Sequence, residues 1–409
     1  MKQIVLVGAS LAGLRAAETL RSAGFEGGIH LINGEKFPPY DRPPLSKRFL
    51  SDNWDDDRIA LRKADDLKSL NLNFLNNTSA QMLDTASNTI QLSDGKSLEY
   101  DGLIIATGCR VRAIPNQPSA KNLVMLRTLE DAHQLRSQLR PGARVVIIGA
   151  GFIGLEVAST AKNLGCEVTV LEGSPAPLIR GLGQEMGAKF ADFHRARGVD
   201  VRCGVKVEGF TEEGGVVSQV IVDDVAIEAD VVVVGIGVAP NTDWLEGSGL
   251  KIDNGIVCDE YLNAGVANVF AAGDVVRWPN AASGPLGSPE VMRIEHWTNA
   301  VEQGVASATN LLAFLNGDAQ TPFESVPFFW SDQFDKRIQF MGRSHPEDIV
   351  EMITGSFEDG KFIAAYGHGD QLCGVLGLSM PKPVMMSRAV LLDRPSFHEG
   401  IERLKSLIV

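Results

Sequence analysis

The feature that most restricts this chain is a pattern that occurs twice. An apolar run, a glycine-rich turn and a helical stretch appear at Ile4–Leu20 and again at Val145–Ala161. Each is followed by a second apolar run, Ile29–Ile32 after the first and Val168–Leu171 after the second. That order reads as strand, turn, helix, strand, the parallel βαβ unit. Two such units in 409 residues predict an α/β chain with two Rossmann-like nucleotide-binding domains. Between them, Asn88–Tyr100 alternates around Ser93, Asp94 and Gly95 as a hairpin does. Leu103–Gly108 (LIIATG), Val231–Gly237 and Val269–Asp274 (VFAAGD) read as buried strands ending in glycine turns. From about Phe323 the chain is richer in aromatics and alternates at Lys336–Met341 and Phe362–Tyr366, which predicts a C-terminal α+β domain.

The turns carry the chemistry. In the first, Gly8 permits a tight turn and Gly13 permits close packing of helix on strand. The helix start then offers free N–H groups and a positive dipole end to a pyrophosphate. Ser10 stands where a second glycine is usual, and Glu35, past the second strand, is placed for ribose hydroxyls. Taken alone, this turn fits a ligand-free strand-to-helix connection equally well. The second turn has all three glycines, Gly149, Gly151 and Gly154, with Phe152 and Ile153 between them. Glu172 follows eighteen residues after Gly154. A carboxylate there bonds a free 2′-hydroxyl and repels a 2′-phosphate, which favours NADH over NADPH. Arg180 is the nearest following arginine and a candidate for a cofactor phosphate. Asp274 suits either the hydroxyls of a cofactor chain or a helix N-cap before Val275. Glu156, inside the second helix, has apolar neighbours on both sides, which argues against a solvated face.

Composition excludes other classes. A net charge of −13 opposes general nucleic-acid binding, which needs a basic face. The apolar runs are strand-length, far short of a membrane span. The N-terminus enters a strand without the regions of a signal peptide, so a cytoplasmic protein is expected. Cys109, Cys166, Cys203, Cys258 and Cys373 are too dispersed for a redox dithiol or a zinc knuckle. The seven histidines are likewise scattered, and no metal site is expected.

Seven stretches now carry a resemblance: Pro39–Lys47 (PYDRPPLSK), Leu103–Gly108, Leu126–Ala132 (LRTLEDA), Gly149–Ala158 (GAGFIGLEVA), Val269–Val275, Arg293–Gly304 (RIEHWTNAVEQG) and Phe328–Gln333 (FFWSDQ). Together they resemble the FAD-dependent NADH:ferredoxin reductases of bacterial oxygenase systems, which have the glutathione reductase-like fold. The resemblance implies an FAD-binding domain over 1–112 and 241–320, an NADH-binding domain over 113–240 and a C-terminal domain over 321–409. It places Ala12, Glu35, Lys47, Ala80, Arg127, Asp274 and Trp297 at FAD, Glu156, Glu172 and Glu295 near NAD, and Trp330 at the flavin. Arg42, Thr107, Gly108, Ile153, Gly237 and Gly273, within the same stretches and turns, complete the candidate cofactor-binding set. Ser10 and the stretch Tyr366–Leu391 depart from the family's pattern.

The resemblance further implies that Lys47 lies beside the flavin and pairs with Glu156. A lysine there favours negative charge developing on the reduced ring, and the carboxylate offsets the cost of burying its ammonium. The expected partner is a [2Fe–2S] ferredoxin serving a haem monooxygenase or a Rieske dioxygenase, in a transient complex with a monomer or weak dimer. A rubredoxin or other carrier reductase, and a redox-sensing flavoprotein like apoptosis-inducing factor, stay open as alternatives. A dithiol reductase does not, because Phe37–Phe49 holds no cysteine.

Overall fold

Alternate residues of the same strands belong to two different cores. In Gln3–Val7, Val5 and Val7 pack with Leu103, Ile105, Val269 and Ala271, whereas Ile4 and Leu6 pack with Ile29, Leu31, Ile104 and Phe270. Successive side chains of a strand face opposite ways. A sheet that is apolar on both faces must therefore be covered on both, as βαβ crossovers ensure. A computed structural model describes residues 1–51, 54–284 and 288–408. The chain forms two compact units, one of Met1–Asp41, Asp56–Arg110 and Ala239–Pro327, the other of Arg42–Asp55, Val111–Val238 and Phe328–Val409.

In the first unit the sheet runs Asn263–Val266, Val269–Ala271, Gly102–Ile105, Gln3–Val7, Gly28–Ile32, Asn73–Leu75. All its pairings are parallel except that of the first two strands. The helices Leu11–Ser22 and Trp297–Asn316 cover one face, and they approach closely because position 304 is glycine. A Cβ on Gly304 would stand 2.5 Å from the Ala12 carbonyl oxygen. The other face packs on Trp278 and on a three-stranded antiparallel layer. That layer contains the expected hairpin: Thr89–Leu92 pairs with Ser97–Glu99, and Gly95 takes the left-handed conformation of the turn at φ +82°.

The second unit repeats the parallel sheet, in the order Asp200–Cys203, Glu167–Glu172, Arg144–Ile148, Val231–Val234, Leu123–Val124. Its C-terminal part is an antiparallel sheet in the order Phe328–Gln333, Lys336–Gly342, Gln371–Leu378, Lys361–His368, Ile349–Ser356. The helices Pro381–Leu392 and Phe397–Ser406 follow it, so this region is α+β as expected. Among the described residues no helix is long and apolar enough to cross a membrane.

Candidate functional site

Both glycine turns sit where a central parallel strand gives way to a helix. After Gln3–Val7, Gly8 adopts φ +110°, and a Cβ on it would lie 2.2 Å from the Ala106 carbonyl oxygen. After Arg144–Ile148, Gly149 adopts φ +101°, and its Cβ would lie 2.4 Å from Gly235 O. The last glycines also admit no side chain: a Cβ would stand 1.8 Å from Gly8 O at Gly13 and 2.2 Å from Gly149 O at Gly154. Gly151 is different. It is exposed, and a Cβ there would meet nothing within 4 Å among the described residues. The fold does not require this glycine, but the close approach of a ligand to backbone N–H groups does. This open cradle fits a dinucleotide pyrophosphate.

Other expected residues gather at each turn. In the first unit Glu35 lies past the second strand and accepts a bond from the Tyr40 hydroxyl, while Trp297 Nε1 donates to Asp41 at 2.8 Å. Gly273 packs on the start of the first helix, where a Cβ would lie 3.1 Å from that of Ala12. Its N–H donates to Gln303 Oε1 at 2.8 Å, while the buried Gln303 Nε2 has no partner among the described residues. A buried amide left so is costly, and a polar ligand at this strand end would satisfy it. Thr107 bonds both ways with Asn241, which anchors the ATG turn. Ala80 is half-buried at a strand start, and exposed Glu295 pairs with Arg293 at 2.7 Å. Asp274 is not a helix N-cap. It lies inside the single 3₁₀ turn Gly273–Val275, whose cap position is Ala272, because the chain re-enters a strand at once.

In the second unit Glu172 ends its strand and accepts the Ala150 N–H at 2.8 Å and the Ser174 N–H at 2.8 Å. The carboxylate is thereby fixed at the glycine turn. Arg180 lies beside Gly237, with 3.8 Å between its guanidinium and the Cβ position there. Ile153 is exposed in the first turn of the helix, and Arg42 precedes the short helix Pro43–Ser46. Arg127 N–H donates to Asp131, which also closes the capping box of the helix Leu129–Gln138. Trp330 is half-buried in the strand Phe328–Gln333 and stacks near Phe328.

Glu156 is the most heavily bonded of the expected residues. It lies in the helix Phe152–Asn163 and is only 4% exposed. Lys47 Nζ meets Oε2 at 2.8 Å, the Ser46 hydroxyl donates to the same oxygen at 2.5 Å, and the Ser331 hydroxyl donates to Oε1 at 2.6 Å. One turn further along the helix, Thr160 donates to the Ser46 carbonyl at 2.9 Å. Charged and hydroxyl donors together compensate the burial of this carboxylate. The contacts continue inward. Gln333 Nε2 donates to Ser331 Oγ at 3.1 Å, and the buried His194 ring bonds Gln333 Oε1 at 2.9 Å. Burial lowers the His194 pKa to about 4, outweighing the Gln333 bond, so the ring is neutral at pH 7.

Sequence reasoning did not find Ser46, Ser331, Gln333 or His194. One signal was present: Ser331 and Gln333 are two apart on a strand, so both face the same way. No two of the described cysteines form a disulfide, and burial pushes the thiols of Cys166, Cys203, Cys258 and Cys373 up, which disfavours reactive thiolates.

Residues 2–304 match the family described as pyridine nucleotide-disulphide oxidoreductase, and residues 328–400 the domain described as reductase C-terminal. Rhodocoxin reductase of Rhodococcus erythropolis is 38% identical over 392 residues, which cover 95% of this chain and 89% of that protein. The ferredoxin–NAD(+) reductase component of the anthranilate 1,2-dioxygenase system of Burkholderia cepacia is 35% identical, over 88% of this chain and 89% of that one. The crystal structure of the covalent putidaredoxin reductase–putidaredoxin complex matches with a TM-score of 0.92 at 34% identity, over 100% of this chain and 98% of that one.

Proposed function

The chain belongs to the FAD- and NAD-dependent pyridine nucleotide-disulphide oxidoreductase family, and on that premise we propose that it carries electrons from NADH through FAD to a [2Fe–2S] ferredoxin serving an oxygenase in the cytoplasm. Bound FAD supplies the conversion of a two-electron donor into one-electron steps. The protein's part is to bind, orient and set charge. In the first unit Gly8, Ser10, Gly13, Glu35, Asp274 and Trp297 hold FAD; in the second, Gly149, Gly151, Gly154, Glu172 and Arg180 hold NADH.

The observation that carries this reading is the buried Lys47–Glu156 pair. The largely buried ammonium stands ready to stabilise negative charge, an effect that strengthens as water is excluded. Glu156 keeps it there, and the Ser46 and Ser331 hydroxyls hold Glu156. Trp330 and Arg127 complete the flavin-facing set, and Glu172 selects NADH by its charge.

Rapid-mixing reduction by NADH tests the assignment. Lys47→Ala and Glu156→Ala are expected to slow reduction about 100-fold while FAD stays bound. Wild-type rates in both variants would remove the pair from the mechanism. Equal efficiency with NADPH would remove the role of Glu172. Steady-state assays with purified ferredoxin and rubredoxin decide the carrier, and a long-lived NADH complex with poor turnover would favour a signalling flavoprotein instead.

A further inference from the structure

The C-terminal sheet gathers side chains that the flavin chemistry does not use. The strand Lys336–Gly342 is paired antiparallel with the strand Gln371–Leu378, with Gly342 opposite Gly374. Gly342 adopts φ +95°, a Cβ on it would lie 2.2 Å from Cys373 O, and Arg343 N–H donates to that oxygen at 2.9 Å. The loop that leaves this paired strand end brings His345 and Asp348 to Cys373. One ligand atom from each of the three lies within 4.8 Å of the others.

The separations are short enough for one ion to draw the three groups together. A tetrahedral zinc site holds nitrogen and oxygen at about 2.0–2.2 Å and sulfur at about 2.3 Å, so its ligands stand about 3.3–3.7 Å apart. His345 Nδ1 lies 3.5 Å from one Asp348 oxygen, Oδ1, and the Cys373 thiol donates to the other, Oδ2, at 3.3 Å. The Asp348 side chain is 2% exposed. Its Oδ2 also accepts the His345 N–H at 2.7 Å, which by itself explains a carboxylate closing the turn. The imidazole and the thiol also bond that carboxylate, so three metal-ligating groups are already gathered at one point. His368, half-exposed at the end of the neighbouring strand, bonds Oδ1 at 2.9 Å. Ligating carboxylates are commonly held in this way by an outer partner.

We propose that His345, Asp348 and Cys373 form a binding site for a divalent transition-metal ion of the zinc type, its remaining position turned toward solvent beside His368. A sulfur, nitrogen and oxygen donor set selects such ions over magnesium and calcium, which take oxygen alone. The site clips the loop to the sheet and uses none of the residues assigned to FAD and NADH.

Cobalt(II) is the probe, added to chelator-treated, FAD-loaded protein. The wild type is expected to bind one equivalent with a sulfur-to-metal charge-transfer band and d–d bands at wavelengths beyond oxidised flavin. Cys373→Ser is expected to abolish the charge-transfer band and weaken binding at least about 100-fold, and His345→Gln at least about tenfold. Flavin reduction by NADH is expected to be unchanged in both, which also reports that they fold. Magnesium is expected not to compete. A wild-type cobalt complex without the sulfur band, or wild-type affinity in Cys373→Ser, would overturn the site. The spectrum of the wild type decides the matter even if a variant fails to fold.

Discussion

The two nucleotide turns have the same frame and differ in two places. Their outer glycines are equivalent: each lies against a carbonyl oxygen that leaves no room for a Cβ. The middle position is Ser10 in one and the open Gly151 in the other. Two residues past the last glycine, the first helix carries Arg15 and the second carries Glu156. Arg15 is served by local charge: Glu18 pairs with it at 2.7 Å and is shared with Arg62 at 2.6 Å. Glu156 is served by distant segments, through Ser46, Lys47 and Ser331. A glycine required by backbone sterics belongs to the fold, whereas one facing open space belongs to the ligand. A charge satisfied within its neighbourhood stabilises a surface, whereas one satisfied from two distant segments organises a site.

The sharpest way to break this distinction is Gly149→Ala. Positive φ and the contact with Gly235 O together cost about 3 kcal/mol or more, so the melting temperature and soluble yield are expected to fall markedly. A variant as stable as wild type would show that the frame tolerates what its geometry forbids. Next comes the interior end of the Glu156 network. Unfolded, His194 takes a proton near pH 6.5; folded, it does so only near pH 4. The unfolded state therefore binds more protons between these values, and the stability associated with the neutral ring, full above pH 6.5, declines as pH falls toward 4. Between pH 7 and pH 5 this amounts to about 2 kcal/mol. His194→Gln is expected to flatten that part of the acid loss in urea unfolding, and an unchanged pH slope would disprove it.

Gly151→Ala is expected to leave the melting temperature unchanged but raise the KM for NADH about tenfold, equivalent to about 1.4 kcal/mol. A loss of stability equal to that of Gly149→Ala would erase the contrast between the two glycines. The smallest effect is expected from Ser10→Gly. Serine and glycine differ by only a few tenths of a kcal/mol at a helix N-cap, so FAD retention and melting temperature are expected to stay at wild-type values.

The sequence made the turns legible because glycine spacing and apolar runs report local geometry. The sheet around Gln3–Val7 and the one around Arg144–Ile148 both follow from that pattern. Glu156 was legible in outline, since a carboxylate among apolar neighbours needs a partner. Its serine donors were not, because a serine gives no sign in sequence of which carboxylate it will face. Ser331 comes from a strand far along the chain, and only strand pairing decides that it reaches the helix. The group around Asp348 was hidden for a related reason. His345 and Cys373 are far apart in sequence, and the pairing of Gly342 with Gly374 brings them together. The N-cap reading of Asp274 failed because a strand resumes one turn later.

The bonds on Glu156 limit how this protein can be taken apart. The two family matches end and begin between residues 304 and 328, which invites treating the last part as a detachable module. Yet Ser331 lies beyond that seam and holds one oxygen of a carboxylate that lies before it. Removing the C-terminal part would leave that oxygen without its hydroxyl donor and Gln333 gone from above His194. If Lys47 and Glu156 act as proposed, a chimera that exchanged this module to change the electron acceptor would also alter how electrons enter, unless the incoming module supplied a serine at the same register.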